Sequence, residues 1–564
     1  MNLNAVQMVR PGGRLAGHKR LRLVVFGFLL CFLAVGGRLA QLTLLPPPQA
    51  DVAPRVADRI LRPDIVDRNG VVLASDISIP SLYADPRRMV DIDEAVELLT
   101  GALPELKARE LRDKLTRNRA FVWLKRDVTP RQRESVHNLG IPGVGFRKET
   151  RRVYPMGRLA AHVLGYVDVD SRGLAGIEKY LDDQGALYTA SLADPRRNRA
   201  TPAILSIDVR IQHAIADEIG KAMAKFRAVA GAGVLLDAGT GEILAAVSLP
   251  DFNPNAPDEA QDKVRMNRFT GGVFELGSSV KTVTFAMALD AGITTLEATY
   301  DCRFPLAAGR SRIDDYHATR RVLTVEEIFT HSSNIGTAKM ALDVGVDAHQ
   351  TFLRRVGFFD RLRAELPEAA APLLPVRWGR VHTMTAAFGH GLSIQPLQLV
   401  RAAAAFVNGG TLIEPTFLKR DREAVAALSE RIISEKTSAT MRHLLRLNVE
   451  KGTATKADAP GYRVGGKTGS AEKVVGGRYS RNHRLTTFLG AFPMDDPKYV
   501  LLVLLDEPQA TAETFGFATA GWNAVPTAGT IVSRIAPILG VESRVTAAEA
   551  AELANRHGAG IAGD

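Results

Sequence analysis

Ser278-Ser279-Val280-Lys281, Ser332-Ser333-Asn334 and Lys467-Thr468-Gly469 follow one another in that order along the chain. A serine hydroxyl is a poor nucleophile until a base takes its proton. Lys281, at i+3 from Ser278, shares its helical face, but it can act as that base only with a lowered pKa, through desolvation or a nearby like charge. Lys467 supplies the like charge if the three segments converge. The Ser332 hydroxyl can then pass a proton to a leaving amine, while the Asn334 amide orients the substrate and Lys281. Lys467, Thr468 and Ser470 offer a cation and hydroxyls to a substrate carboxylate, and Gly469 lets an extended peptide approach an edge strand. The three motifs together describe acyl transfer from an amide through a serine ester, with no metal and no cofactor.

Singly, each motif is cheap. Ser470-Ala471-Glu472-Lys473 also reads Ser-x-x-Lys, and Ser480-Arg481-Asn482 also reads Ser-x-Asn; Lys-Thr-Gly occurs once. Gly461 to Thr468 also satisfies the phosphate-loop pattern G-x-x-x-x-G-K-[ST]. That pattern needs a buried strand before it and a helix after it. Lys451 to Pro460 is polar, and Gly469 and Gly476-Gly477 would break the helix, so a nucleotide site is not expected.

The 564 residues suffice for two or three domains with their own cores. A hydrophobic content of 46% and a charged content of 24% fit a folded protein. The formal charge of +11 suits anionic surroundings, yet no Lys/Arg cluster interleaved with aromatics points to nucleic acid. Two cysteines, Cys31 and Cys302, are too few for a disulfide framework or a Cys-based metal site.

Leu23 to Gly37 carries no charge, and Leu39 to Leu45 continues largely apolar past Arg38, which can snorkel. Arg10, Arg14, Lys19, Arg20 and Arg22 precede this stretch, and no acidic residue comes before Asp51. The expectation is an uncleaved single-pass anchor over 23–45, with residues 1–22 cytoplasmic and everything beyond it outside the plasma (inner) membrane; a cleaved signal peptide, which the small residues Gly36, Gly37 and Ala40 would suit, is the rival reading. Pro46-Pro47-Pro48 makes a stiff exit. Residues 46–200 are charged and arginine-rich, ending in a polar linker near Asp194 to Arg199. They read as a non-catalytic pedestal before a catalytic domain over 201–540, with an Ala/Glu-rich tail over 541–564.

In the catalytic region Gly233 to Asp237 and Glu242 to Val247 read as one hairpin, and Leu485 to Phe492 with Tyr499 to Leu505 as another. Ser279 to Leu289, Val325 to Val344 and Pro396 to Asn408 read as helices. Strands, then a helical block, then strands predict an α+β architecture of helices packed on an antiparallel sheet. Ser278 is expected at a helix N-terminus, where backbone N–H groups can hold an oxyanion.

The chain resembles the class B penicillin-binding proteins, the bitopic peptidoglycan D,D-transpeptidases. Arg62-Pro-Asp-Ile-Val-Asp-Arg-Asn-Gly70, Arg152-Val-Tyr-Pro155, Ala161 to Gly165 and Gly173 to Glu178 resemble the signatures of the family's pedestal. Asp237 to Leu244, Phe252 to Asn255, Phe274 to Ser278, Phe388 to Ser393 and Gln395 to Gln398 resemble those of its catalytic domain. Gly461 to Gly469, Val474 to Gly477, Tyr479 and Leu505 to Pro508 are most similar to the cell-division members. Leu276, Thr282, His331, Ser470 and Glu472 depart from the family's usual proline, proline, lysine, threonine and glutamine.

The resemblance implies a penicillin-binding, serine β-lactamase-like transpeptidase domain on an elongated pedestal behind one transmembrane helix. It implies that Ser278 attacks the penultimate D-alanine of a peptidoglycan pentapeptide stem, with Lys281 as base. Backbone N–H groups of Ser278 and Ser470 would form the oxyanion hole, and Ser332 would protonate the departing D-alanine. It further implies β-lactam antibiotics as acylating mimics, and a glycan-polymerising membrane protein with other division proteins as partners. Two other classes stay open on the residues alone: a D,D-carboxypeptidase or β-lactamase in which water replaces the acceptor amine, and a non-catalytic membrane scaffold or β-lactam sensor.

Overall fold

The computed structural model describes residues 14–44, 62–185 and 201–545. The proline exit at 46–48, the linker near 194–199 and the tail from 546 lie outside the described residues. Contacts divide the chain into two compact bodies, one of residues 1–59 and 79–149, the other of residues 60–78 and 150–564. The chain passes between these bodies within the strands Val72–Ala84 and Val144–Val153.

Helix α1, Arg14–Leu44, is 31 residues long. Among the described residues no helix is long and apolar enough to cross a membrane. From Leu23 to Val35 the large apolar side chains of α1 are exposed. Elsewhere in the first body, helices Ile92–Ala102, Ala108–Leu115 and Pro130–His137 surround a core of Leu82, Val96, Leu99, Leu111, Leu124 and Val136. Asp91 caps the first of these helices, and Thr129 and Gln132 form a capping box on the third, so their first N–H groups are satisfied.

The second body is built on a five-stranded antiparallel sheet. Its strands are β1 (Ala230–Asp237), β2 (Ile243–Leu249), β3 (Gly465–Val475), β4 (Arg478–Phe492) and β5 (Tyr499–Asp506). Their order is β3-β4-β5-β1-β2, which leaves β3 at an edge. β1/β2 and β4/β5 are the two expected hairpins, and β3/β4 adds a third. Successive residues of β5 enter different cores. Val500, Leu502 and Leu504 join one, while Leu501, Val503 and Leu505 join the other. Both faces are therefore covered, which explains the unbroken apolar run where a half-exposed strand would alternate.

One face is covered by α2 (Val209–Phe226) and the C-terminal helix α8 (Ala524–Ile535), through Ile215, Ile219, Ile531 and Val532. On the other lie α3 (Lys281–Asp290), α6 (Pro396–Val407) and α7 (Glu435–Lys451), through Phe285, Val400 and Leu444. The expected single helix over 325–344 is in fact two, α4 (Val325–His331) and α5 (Asn334–Val344). Ser332 takes a left-handed conformation (φ 58°) that ends α4, and the Ser333 hydroxyl accepts from Gly336 N–H to cap α5.

Three of the pedestal signatures, around Arg62, Arg152 and Glu178, converge in the same body. Glu178, fully buried, accepts from Arg62 and from Arg152, and Arg152 also pairs with Asp76. Burying these charges is tolerable because each is met by an opposite one.

Candidate active site

Ser278 lies in a 3-10 turn, Gly277–Val280, that feeds directly into α3. The turn is held from three sides. Ser279 Oγ bonds Thr487 Oγ1 on β4 at 2.8 Å, and Thr282 Oγ1 donates to the Ser279 carbonyl at 2.8 Å. On the remaining side the 388–391 turn presses against it with no room to spare. A side-chain carbon added at Gly389 would lie 2.2 Å from the Gly277 carbonyl oxygen.

Lys281 begins α3 and is fully buried, as is Lys467 on β3. Lys281 Nζ donates to the Ser332 carbonyl at 2.5 Å and to Ser332 Oγ at 3.1 Å. Burial pushes the Lys281 pKa well below the usual lysine value, the Lys467 charge pushes it further down, and Asp315 opposes both. Desolvation alone brings Lys467 down to about 7. The expected like charge is present, but loss of hydration outweighs it.

Ser278, Ser332, Asn334, Thr468 and Ser470 line one cleft of about 460 Å³. Strand β3 forms one wall, and among the described residues no strand pairs with its outer edge, so its backbone groups can receive an extended peptide. Thr468 Oγ1 bonds Thr453 Oγ1 at 2.9 Å and lies 3.5 Å from Lys467 Nζ. Ser470 Oγ accepts from Ala520 N–H at 3.1 Å, which orients that hydroxyl from behind. Residues 465–475 form strand rather than helix, so the phosphate-loop pattern has no helix N-terminus to use.

Two expected roles need correction. Gly469 does not open the strand to a peptide. A side-chain carbon there would strike the Leu276 carbonyl at 2.4 Å and Ser279 Oγ at 2.5 Å, so the glycine admits the nucleophile's own turn against β3. The Asn334 amide is not bonded to Lys281 but donates to the Asp314 carbonyl at 3.0 Å, although its side chain does line the cleft.

Asp315 was not anticipated. Its carboxylate accepts from Asn334 N–H at 2.6 Å, Ile335 N–H at 2.9 Å and Ser333 Oγ at 2.7 Å, so it anchors the start of α5 below Ser332. It sits in the charged loop Arg310 to Arg321, where nothing in the residue pattern separates it from Asp314. Thr453 and His390 also join the cleft. Burial lowers the His390 pKa to about 4, with Lys281 contributing, so the ring is neutral. Both cysteines are free, and Cys302 lies 3.5 Å from Ser333 Oγ.

A family model described as the penicillin binding protein transpeptidase domain matches residues 231–524. Another, the penicillin-binding protein dimerisation domain, matches residues 60–185. A probable peptidoglycan D,D-transpeptidase FtsI of Caulobacter vibrioides is 42% identical over 494 residues, covering 86% of this chain and 82% of that one. A probable peptidoglycan D,D-transpeptidase PenA of Neisseria gonorrhoeae is 37% identical, covering 80% of each. The chain belongs to the class B penicillin-binding proteins. In fold it matches a crystal structure of penicillin binding protein 3 from Mycobacterium tuberculosis in complex with aztreonam. The TM-score is 0.66 at 24% identity, covering 86% of this chain and 98% of that one.

Proposed function

We infer that this protein is a peptidoglycan D,D-transpeptidase of the septal type, joining stem peptides through an ester on Ser278. The observation that carries the reading is Lys281, a fully buried lysine with a depressed pKa, bonded to Ser332 at a cleft that Ser278 lines. A lysine held neutral can accept the Ser278 proton as the oxygen attacks the penultimate D-alanine carbonyl. Ser332, bonded to Lys281, relays that proton to the departing amine as the peptide C–N bond breaks and D-alanine leaves. Lys467, Thr468 and Ser470 hold the terminal carboxylate, and the N–H groups of Ser278 and Ser470 receive the oxyanion. In the second half an amine of a neighbouring stem attacks the ester. Its proton passes to Lys281, Ser278 is released with its own proton restored, and the crosslink forms.

β-Lactams acylate Ser278 in this reading as mimics of the stem terminus. Residues 23–45 serve as a single-pass plasma-membrane anchor, with the N-terminus cytoplasmic and the catalytic body outside. The charge-free run of exposed apolar side chains on α1 supports this. In this reading residues 46–200 are the non-catalytic pedestal, 201–540 the transpeptidase domain and 541–564 a tail. A glycan-polymerising protein and other division proteins are the expected partners.

The test is labelling with a fluorescent penicillin, comparing wild type with Ser278→Ala and Ser470→Ala by gel and mass spectrometry. A slowly hydrolysed adduct absent only from Ser278→Ala is expected. A folded wild-type protein that takes no label would refute the reading, and rapid turnover of the adduct would make it a hydrolase.

A further inference from the structure

Glu472 and Arg484 occupy one rung of the β3/β4 ladder, directly opposite each other, and both line the cleft. Opposite charges so placed ordinarily pair across strands. Among the described residues neither side chain forms an ion pair or a hydrogen bond. The adjacent Lys473, by contrast, is held by Asp506 at 2.8 Å and Glu507 at 2.6 Å. Both members of the rung are half-buried, so their charges are only partly hydrated. A carboxylate and a guanidinium facing one cleft without touching leave room for a group carrying both charges.

Their place on the strand tells which part of a substrate would meet them. Thr468, Ser470 and Glu472 alternate along β3, and all three line the cleft together with the intervening Ala471. At about 3.3 Å per residue, Glu472 lies about 13 Å along the strand from Thr468. A stem peptide added along β3, with its terminal carboxylate at Thr468 and its scissile carbonyl at Ser278, runs back toward Glu472. The residue just upstream of the two alanines lies about 7 Å from the stem terminus, beside Ser470, so a side chain reaching about 6 Å further along β3 arrives at this rung.

We propose that Glu472 and Arg484 form a subsite for a stem side chain ending in an amino-acid head, whose ammonium meets Glu472 and whose carboxylate meets Arg484. The proposal rests on the transpeptidase reading, since it takes the stem's direction along β3 from it. Nothing in it requires the two residues to take part in acylation; they select the donor.

Three cephalosporins with one nucleus test this on the full-length chain. Their acyl side chains are α-aminoadipyl, its N-acetyl derivative and its carboxamide, each prepared as both epimers. Acylation rates are read by competition with fluorescent penicillin. Wild type should react with one epimer of the doubly charged probe about tenfold or more faster than with either blocked form. Arg484→Leu should lose the discrimination against the carboxamide only, and Glu472→Gln that against the N-acetyl form only. Both variants should take fluorescent penicillin at the wild-type rate. Equal rates for all three probes on wild type, or a preference that survives both substitutions, would overturn the subsite and leave the transpeptidase reading intact. Failure of every probe and of penicillin to label Ser278 would overturn the transpeptidase reading instead.

Discussion

Replacing Gly389 with alanine tests whether the nucleophile is positioned by backbone contact. Gly389 has a φ of +85°, and its added carbon would lie 2.2 Å from the Gly277 carbonyl oxygen, 2.8 Å from that carbonyl carbon and 2.9 Å from Gly277 Cα. All three neighbours are backbone, so no side chain can swing away, and a tolerable contact requires a shift of about 1 Å. The left-handed conformation costs about 1 kcal/mol for alanine, and forcing an atom into a packed contact adds about 1–3 kcal/mol. The displaced turn is the one that carries Ser278. A misplacement of about 1 Å at a reacting atom lowers a rate about 100-fold. The expected variant is folded, less stable by about 2–4 kcal/mol, and slow to take fluorescent penicillin by about two orders of magnitude. Gly292→Ala is the control, because its φ is +66° but nothing lies within 4 Å of the added carbon. It should lose about 1 kcal/mol and acylate normally. A folded Gly389→Ala protein that acylates at the wild-type rate would refute the argument.

Further consequences follow from the buried charges. Penicillin acylation should rise with pH through the depressed pKa of Lys281 and fall above about 7 as Lys467 loses its proton. In Lys467→Met the rising limb should move to higher pH, because a like charge near Lys281 is gone; a limb that stays put argues against their coupling. The same substitution should stabilise the fold at neutral pH by a few kcal/mol at most, on the order set by that pKa difference. Lys467 in the folded state titrates at about 7, below its unfolded value, so the penalty is full below 7 and fades as pH approaches the unfolded value. Denaturant melts at several pH values would show the variant's advantage shrinking as pH rises. Asp315→Asn removes the carboxylate that opposes Lys281's depression, so the rising limb should shift toward acid, with a loss of about 1–2 kcal/mol at the α5 terminus. An alkaline shift would contradict the assignment. Glu178→Gln removes the carboxylate that buried Arg62 and Arg152 share, leaving them Asp182 and Asp76, and should cost about 3 kcal/mol in thermal or urea melts, and an unchanged melt would show that the shared carboxylate is dispensable.

The sequence disclosed the chemistry more readily than the contacts that make it work. Serine, lysine and a carboxylate-binding Lys-Thr-Gly are rare enough in combination to be read directly. The two hairpins at Val234 and Leu502 announce themselves by apolar runs between turn residues. The break at Ser332-Ser333 was hidden because apolar spacing continues through it, and only the left-handed Ser332 and its capping neighbour divide α4 from α5. The 17-residue α7 offered no clear stripe, since Arg442, His443 and Arg446 interrupt its buried leucines. Asp315 lay beyond inference for a different reason: its partners are backbone N–H groups of another segment, and a carboxylate in a charged loop carries no sign of that. Gly469 is the instructive case, because its role was legible and misread. If Thr468 and Ser470 face the cleft, a strand's period of two turns residue 469 the other way, into the protein. The glycine there, like Gly277 and Gly389, is spent on bringing backbones together behind the nucleophile rather than on admitting substrate in front of it. The same alternation sets Glu472 on the cleft side with Thr468 and Ser470. Over 468–470, period two thus separates the glycine that supports the nucleophile's turn from the hydroxyls that meet the stem.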